Sequence, residues 1–381
     1  MTRRKRVGIL TSGGDCGGLN AVTRAAVRRA RDYGIDIYGI RDSTMGLLNR
    51  PVEAELLDMK RVSGILRYGG TVLGTINKNN PFAFPMPDSA IVDRSEEVIE
   101  GYHRLELDAL IGIGGDGSLA ILNKLARQGN WNLVGVPKTI DNDVGTTEHS
   151  IGFHTALNIA VEALDRLTYT AISHSRVMVL EVMGRDAGHI AISAGIAGGA
   201  HAILIPEIPY SVDNLCERLL ERRARGHNFS LVVVAEAVKT ETSEPVCYTN
   251  SLGQTLYGGI GQYIGNEIAS RTGIETRVST LGHLQRGGTP SALDRLLGAA
   301  FGVAAIDLVA QNKFGRMVAW QNRRVVDVPI EEAIAQYRSV EVDGVLVETA
   351  LGLNTYIGEL EQVKRGPAEV PEINVSVAAA S

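Results

Sequence analysis

Cysteine is scarce in this chain, and the three present, Cys16, Cys216 and Cys247, show no metal-ligand spacing. Their odd number suits a reducing compartment rather than a disulfide framework. No stretch approaches the ~20 apolar residues that a membrane span requires, so no membrane partner is expected. The basic start, Arg3-Arg4-Lys5-Arg6, is followed only by the short apolar run Val7–Leu10 before Thr-Ser-Gly-Gly-Asp. That reads as a first strand rather than a targeting leader, and the expected location is cytoplasmic. A net charge of -5 argues against nucleic acid as a partner, although arginines can still set a local field for anionic substrates. No short tandem repeat occurs, and no Gly-x-x-x-x-Gly-Lys-Ser/Thr, which excludes a P-loop nucleotide hydrolase.

Glycine, by contrast, is plentiful, at 43 of 381 residues. Several glycines directly follow apolar runs, where they make tight turns rather than flexible linkers. The runs Val7–Leu10, Ala109–Ile113, Leu133–Val136, Val177–Val182, Ala202–Ile205 and Leu231–Ala235 are short and rich in Val, Ile and Leu. Near-continuous apolarity of this kind suits parallel strands covered on both faces. Helical spacing marks Asn20–Asp32, with Asn20 as the expected cap, and Leu119–Arg127. The alternation predicts an α/β protein of two doubly wound, Rossmann-like domains with mostly parallel sheets. Residues 1–152 with about 285–335 form the first expected domain. Residues 153–284 with about 336–365 form the second, and 366–381 a flexible tail.

Two strand-to-helix loops can hold phosphate. In Gly13-Gly14-Asp15-Cys16-Gly17-Gly18, four glycines let backbone amides approach an anion at a helix N-terminus. In Gly112-Ile-Gly114-Gly115-Asp116-Gly117-Ser118, a formal dinucleotide fingerprint is present, but Asp116 would repel a bare pyrophosphate. A carboxylate beside phosphates makes sense with a divalent cation between them, and Mg²⁺ prefers few protein carboxylates plus phosphate oxygens. Both loops could also be plain turns. The segment Lys138-Thr139-Ile140-Asp141-Asn142-Asp143 follows another apolar run. In an extended turn its two aspartates would project the same way, one as general base toward a hydroxyl and the other serving the metal or holding the first.

Together, Thr-Ser-Gly-Gly-Asp, Gly-Gly-Asp-Gly-Ser and Pro-Lys-Thr-Ile-Asp-Asn-Asp resemble signatures of the phosphofructokinase family. Further on come Ile151-Gly-Phe-His-Thr-Ala, Glu181-Val-Met-Gly-Arg185, Ile196-Ala-Gly-Gly199 and Leu281-Gly-His-Leu-Gln-Arg-Gly-Gly288, in the family's order. The resemblance runs from about residue 5 to beyond 320. It implies phosphoryl transfer to the 1-hydroxyl of fructose 6-phosphate, with Mg²⁺ and ATP, in a homodimer or homotetramer, the first expected domain binding the donor and the second the sugar phosphate.

By resemblance, Asp141 is the base, Arg185 steadies the transferring phosphoryl group, and Thr139 and Asp143 position the sugar and the metal shell. Asp116 is the metal residue. Gly13, Lys78, Gly115, Asp116, Gly117, Ser118 and Lys138 face the donor. Met183, Gly184, Arg185, Glu236, His283 and Arg286 contact the sugar phosphate with Thr139 and Asp141. Arg176 and Arg277 match arginines that the family reaches across a subunit boundary to the 6-phosphate.

Two positions disagree over the donor. Gly117 is the small residue of ATP-dependent members, whereas Lys138 is the residue of pyrophosphate users. An aspartate at 117 would repel and crowd the α-phosphate of ATP, so Gly117 favours ATP, with pyrophosphate as the alternative. Thr168 and Met59 stand where short bacterial members place effector-site arginines, while Arg24 and Arg28 remain. Anionic effectors of that kind are not expected. A lipid or NAD kinase with a Gly-Gly-Asp-Gly loop lacks the Thr-Ile-Asp-Asn-Asp and Gly-His-Leu-Gln-Arg-Gly-Gly stretches found here. A non-catalytic regulatory subunit would be expected to lose Asp141, Asp143 or Arg185, and all three are present.

Overall fold

Every one of the six apolar runs forms a strand in the computed structural model, which describes residues 3–77, 80–88, 90–249 and 255–360. The strands in chain order are β1 Arg6–Thr11, β2 Asp36–Ile40, β3 Ala54–Leu57, β4 Phe84–Pro85, β5 Ile91–Val92, β6 Ala109–Gly114, β7 Leu133–Thr139 and β8 Ile151–Gly152. There follow β9 Val177–Val182, β10 Ala202–Leu204, β11 Ser230–Ala235, β12 Cys247–Thr249, β13 Thr255–Tyr257, β14 Thr276–Thr280, β15 Arg316–Gln321 and β16 Arg324–Pro329.

They assemble into two principal sheets. The first has the order β16-β15-β7-β6-β1-β2-β3, with β8 beside β7. Its strands are parallel except for the edge pairs β2/β3 and β15/β16. The second, β10-β11-β9-β14, is parallel throughout. Parallel strands need helical crossovers, and these cover both faces; β6, β7, β9 and β11 are buried along their whole length. The fold is the expected α/β class with mostly parallel sheets.

Helices 19–32 and 292–310 touch through backbone. A Cβ on Gly302 would stand 2.4 Å from the carbonyl of Val22, and one on Gly298 2.9 Å from that of Gly18. Only glycine permits that approach. Because these helices come from distant parts of the chain, the contact closes the C-terminal part of the sequence onto the first glycine loop.

Several local expectations need correction. Asn20 does not cap the first helix. That helix, Leu19–Asp32, starts from Gly18 at φ 103° with no side-chain cap. Asn20 is instead buried inside it, where its amide donates to the carbonyls of Tyr68 and Gly70 and accepts from the Val72 amide. The next predicted helix begins at Asp116 rather than Leu119. Residues 361–381 and Lys78 lie outside the described residues, and with them the expectations of a flexible tail and of a donor contact by Lys78.

Candidate active site

Ligands of open α/β sheets gather beyond the C-terminal ends of the strands, and there β1, β6 and β7 deliver three adjacent loops. After β1, Gly13 has φ 83°, and a Cβ on it would lie 2.9 Å from Ser118 Oγ and 3.2 Å from Lys138 Nζ. Residues from three separate sequence motifs thus converge on one point. After β6, Gly115 precedes the helix Asp116–Gly129, so Asp116, Gly117 and Ser118 form its first turn. That turn offers free amides and a partial positive charge to anions. Gly117 has no described residue within 4 Å of where a side chain would start. Cys16 is buried and its thiol donates to the Ile151 carbonyl. Burial pushes it up to about 12, so it fills space there.

After β7 the chain does not stay extended. Asn142 is left-handed, at φ 55°, held by its amide to the Glu148 carbonyl and by the Ser150 N–H to its own Oδ1. This corrects the expected extended turn, yet both flanking aspartates still point inward. Asp141 and Asp143 are 7% and 2% exposed. Among the described residues Asp141 Oδ1 and Asp143 Oδ2 are buried with no hydrogen-bond partner, which leaves a cost of about 1–3 kcal/mol per group to be relieved by a ligand. Thr139 Oγ1 lies 3.3 Å from Asp141 Oδ2 and accepts from the Asp141 amide at 3.1 Å. Burial raises the pKa of Asp141, opposed by Arg286 and Lys138. Asp143 is lifted to about 6 by burial and by Asp141 and Asp116. Lys138 is 5% exposed, and burial lowers its pKa.

The second sheet brings the opposing wall. Beyond β9, Met183, Gly184 and Arg185 are fastened at their amides: Met183 N–H to Gln285 Oε1 at 2.8 Å, Gly184 and Arg185 to Glu236 Oε1 at 3.2 and 3.0 Å. Arg185 is left-handed at φ 51°, and this strained residue reaches Asp116 Oδ1 at 3.6 Å across the cleft. Met183, Arg185, Glu236 and His283 share a cavity of about 580 Å³. Arg286 crosses to the first loop, donating to the Asp15 carbonyl at 3.2 Å.

Arg176 and Arg277 are not in this cleft. Arg176 precedes β9 and Arg277 lies near the start of β14, and both pair with Glu275, at 3.2 and 2.7 Å. The six residues of β9, at about 3.3 Å each, put them roughly 20 Å from Met183. Sequence reasoning passed over Gln285, which is 1% exposed, and Glu181 and Asp186. Gln285 and Glu181 lie inside two quoted motifs and Asp186 directly follows one, which was the available signal.

Burial lifts Glu236 to about 7, against its bonds to the Arg185 and Gly184 amides. A raised carboxylate favours the folded state fully below its unfolded pKa near 4.5, and that contribution is lost as pH rises through 7. Without ligands, the unfolding temperature should fall between pH 5 and 8. Glu236→Gln should remove part of that slope, up to roughly 3 kcal/mol at about 1.4 kcal/mol per unit. Thermal scans of the two proteins at both pH values measure it, and equal slopes would refute the assignment.

Two mostly parallel sheets meeting over glycine loops, buried carboxylates and an arginine place the chain among α/β phosphotransferases. It belongs to the phosphofructokinase family, whose model, described as Phosphofructokinase, matches residues 6–309. Among its relatives, the ATP-dependent 6-phosphofructokinase 1 of Nostoc sp. is 61% identical over 94% of this chain and 100% of its own. The ATP-dependent 6-phosphofructokinase 1 of Synechocystis sp. is 61% identical over 94% and 99%. The T-state crystal structure of Pichia pastoris phosphofructokinase superposes with a TM-score of 0.77 at 29% identity. It covers 88% of this chain, which spans 36% of that longer one. The pyrophosphate-dependent phosphofructokinase of Marinobacter aquaeolei shares the fold, with a TM-score of 0.75 at 21% identity over 95% and 94%.

Proposed function

We propose that the protein transfers the terminal phosphoryl group of ATP to the 1-hydroxyl of fructose 6-phosphate, giving fructose 1,6-bisphosphate and ADP. The observation that carries this is the pair of buried carboxylates with unpartnered oxygens, Asp141 and Asp143. They lie between an open helix N-terminus at Gly117 and the cavity holding Met183, Arg185, Glu236 and His283. Asp141 takes the proton of the attacking hydroxyl, held in orientation by Thr139. Arg185 steadies the transferring group, and the amides around Gly13, Gly115 and Ser118 hold the donor. Arg286 and Gly184 complete the sugar side.

Among the described residues no group of three or more His, Cys, Asp or Glu could by itself hold a metal ion. The carboxylate oxygens of Asp116 and Asp143, with Asp143 Oδ2 unpartnered among the described residues, suit Mg²⁺, which keeps water and phosphate oxygens as most of its ligands. Asp116 would hold it, with Asp143 beside it, and its chemistry there is to draw charge from the donor phosphates. No helix among the described residues is long and apolar enough to cross a membrane. On this reading the donor domain takes residues 1–152 with about 285–335, and the sugar domain 153–284 with the segment from about 336, of which the described residues end at 360.

Pyrophosphate is the second reading for the donor, and buried Lys138 is the observation in its favour. Initial rates with Mg²⁺, fructose 6-phosphate and either ATP or pyrophosphate test it. Turnover is expected with ATP, and Gly117→Asp should cut the ATP rate at least tenfold through like charge near the α-phosphate. Wild-type turnover with pyrophosphate alone would reverse the donor assignment.

The 6-phosphate end of the site is completed in a homodimer or homotetramer by Arg176 and Arg277 of a second copy, since neither reaches the cleft of its own chain. Arg277→Ala should raise the KM for fructose 6-phosphate by tenfold or more, the loss of a charge-assisted contact, with a modest change in kcat. Unchanged KM in that variant, or full activity in a monomer by gel filtration, would contradict the shared site.

A further inference from the structure

Arg185 has a second support that the sequence motifs do not announce. The antiparallel hairpin β12/β13 pairs Cys247 with Tyr257 and Tyr248 with Leu256. Tyr248, Leu256 and Tyr257 line the same cavity as Met183, Glu236 and His283. The base of the hairpin is fixed from β9: buried Glu181 accepts from the Gly259 amide at 3.2 Å and from the Gly261 amide at 2.7 Å. β9 runs directly from Glu181 into Met183, Gly184, Arg185 and Asp186. Hairpin and arginine therefore hang from one strand end.

At that junction the Tyr257 hydroxyl donates to Asp186 Oδ1 at 2.7 Å. The other oxygen, Oδ2, lies 3.6 Å from Arg185 Nε. On its far side the same guanidinium has Nη1 3.6 Å from Asp116 Oδ1. Arg185 thus stands between two carboxylates, one on its Nε edge and one at Nη1. Both contacts are long and half exposed, so neither alone holds the side chain firmly. Their difference matters more. Asp116 lies on the donor side and would be drawn to the metal and the phosphates. Asp186 is free of that duty and is locked by a neutral hydroxyl from the hairpin.

We infer that Asp186, fixed by Tyr257, is a positioning residue for Arg185, holding its Nε edge so that its terminal nitrogens face the transferring phosphoryl group. Without it the guanidinium swings toward Asp116 and is misplaced for the reaction. A displacement of about 1 Å at such a group costs up to ~10²-fold in rate. The hairpin links this support to the sugar cavity, because the residue that fixes Asp186 is also part of the cavity wall. The inference rests on the functional reading above, in which Arg185 acts on the phosphoryl group.

Steady-state kinetics of Asp186→Asn, Tyr257→Phe and the double variant test it, with thermal unfolding to verify the fold. Asp186→Asn should lower kcat about tenfold and Tyr257→Phe about three- to fivefold, each with the KM for fructose 6-phosphate within about twofold. The double variant should be no slower than Asp186→Asn alone, because the tyrosine acts through the aspartate. A role confined to packing would shift the unfolding temperature without this split between kcat and KM. Wild-type kcat in both single variants, raised KM at unchanged kcat, or multiplicative losses in the double variant would each overturn it. If Asp186→Asn does not fold, Tyr257→Phe, which removes a single hydroxyl, gives the same reading. An inactive wild type would instead refute the functional reading, so the two failures are distinguishable.

Discussion

Asp141→Asn should reduce kcat by about 10²–10⁴-fold, the usual contribution of a positioned general base, while the KM for fructose 6-phosphate changes little. Asparagine keeps the shape of the side chain. The carboxamide oxygen can still lie against Thr139, which fixes the rotamer through the Asp141 amide and Oδ2. What is lost is the ability of the unpartnered Oδ1 to take a proton. Stability should move the other way. Burial raises the pKa of Asp141, so its charge costs folding energy at neutral pH, and the amide removes that cost. The unfolding temperature of Asp141→Asn at pH 8 should therefore equal or exceed that of the wild type. A rate within a few fold of wild type would remove Asp141 as the base, and a large fall in unfolding temperature would mark the loss as structural.

The largest effect on stability is expected at Asp294. It is fully buried and accepts from the Gly152 amide at 2.9 Å, the Thr155 amide at 2.7 Å and the Thr155 hydroxyl, with Ser291 Oγ at 3.3 Å. The two amides are orphan donors at the start of the helix Phe153–His174, so one carboxylate from the helix Ala292–Ala310 caps another helix. Asp294→Ala strands those donors in the interior. At about 1–3 kcal/mol for each unmet group, the loss should reach roughly 3–5 kcal/mol. Asp294→Asn, which retains an acceptor, should cost less. Urea or thermal unfolding of the three proteins gives the order wild type, Asn, Ala. An alanine variant within about 1 kcal/mol of wild type would mean that water enters and meets the donors.

Much of this architecture is legible in the sequence because parallel strands buried on both faces leave short apolar runs bounded by glycine. Val177–Val182 is read to the residue for that reason. Helix starts are harder. Asn20 has the right chemistry for a cap, but Gly18 turns the chain first, and the asparagine is taken up by the carbonyls of residues 68 and 70. That competition depends on a loop some fifty residues away, which no local window contains.

The candidate site divides along the same line. Gly13, Ser118 and Lys138 each stand in a recognisable motif, and the structure brings them to one point. Asp186 sits beside a motif arginine yet gains its meaning from Tyr257, 71 residues onward. Gln285 lies within a quoted stretch, but only folding presents its side chain to the Met183 amide. Spacing along the chain reveals residues that act where they stand, and it hides those that act on a neighbour from another element.

The seat of Arg286 on the first glycine loop has a consequence for the loop itself. A methyl group added at Gly14 would come within 2.6 Å of the Arg286 guanidinium. A side chain at position 14 would push the Arg286 guanidinium from its seat, and that displacement would surrender the bond to the Asp15 carbonyl. Two sites more than 270 residues apart in the chain are thus coupled through one guanidinium, so the absence of a side chain at the first loop sets where the last arginine of the site can rest.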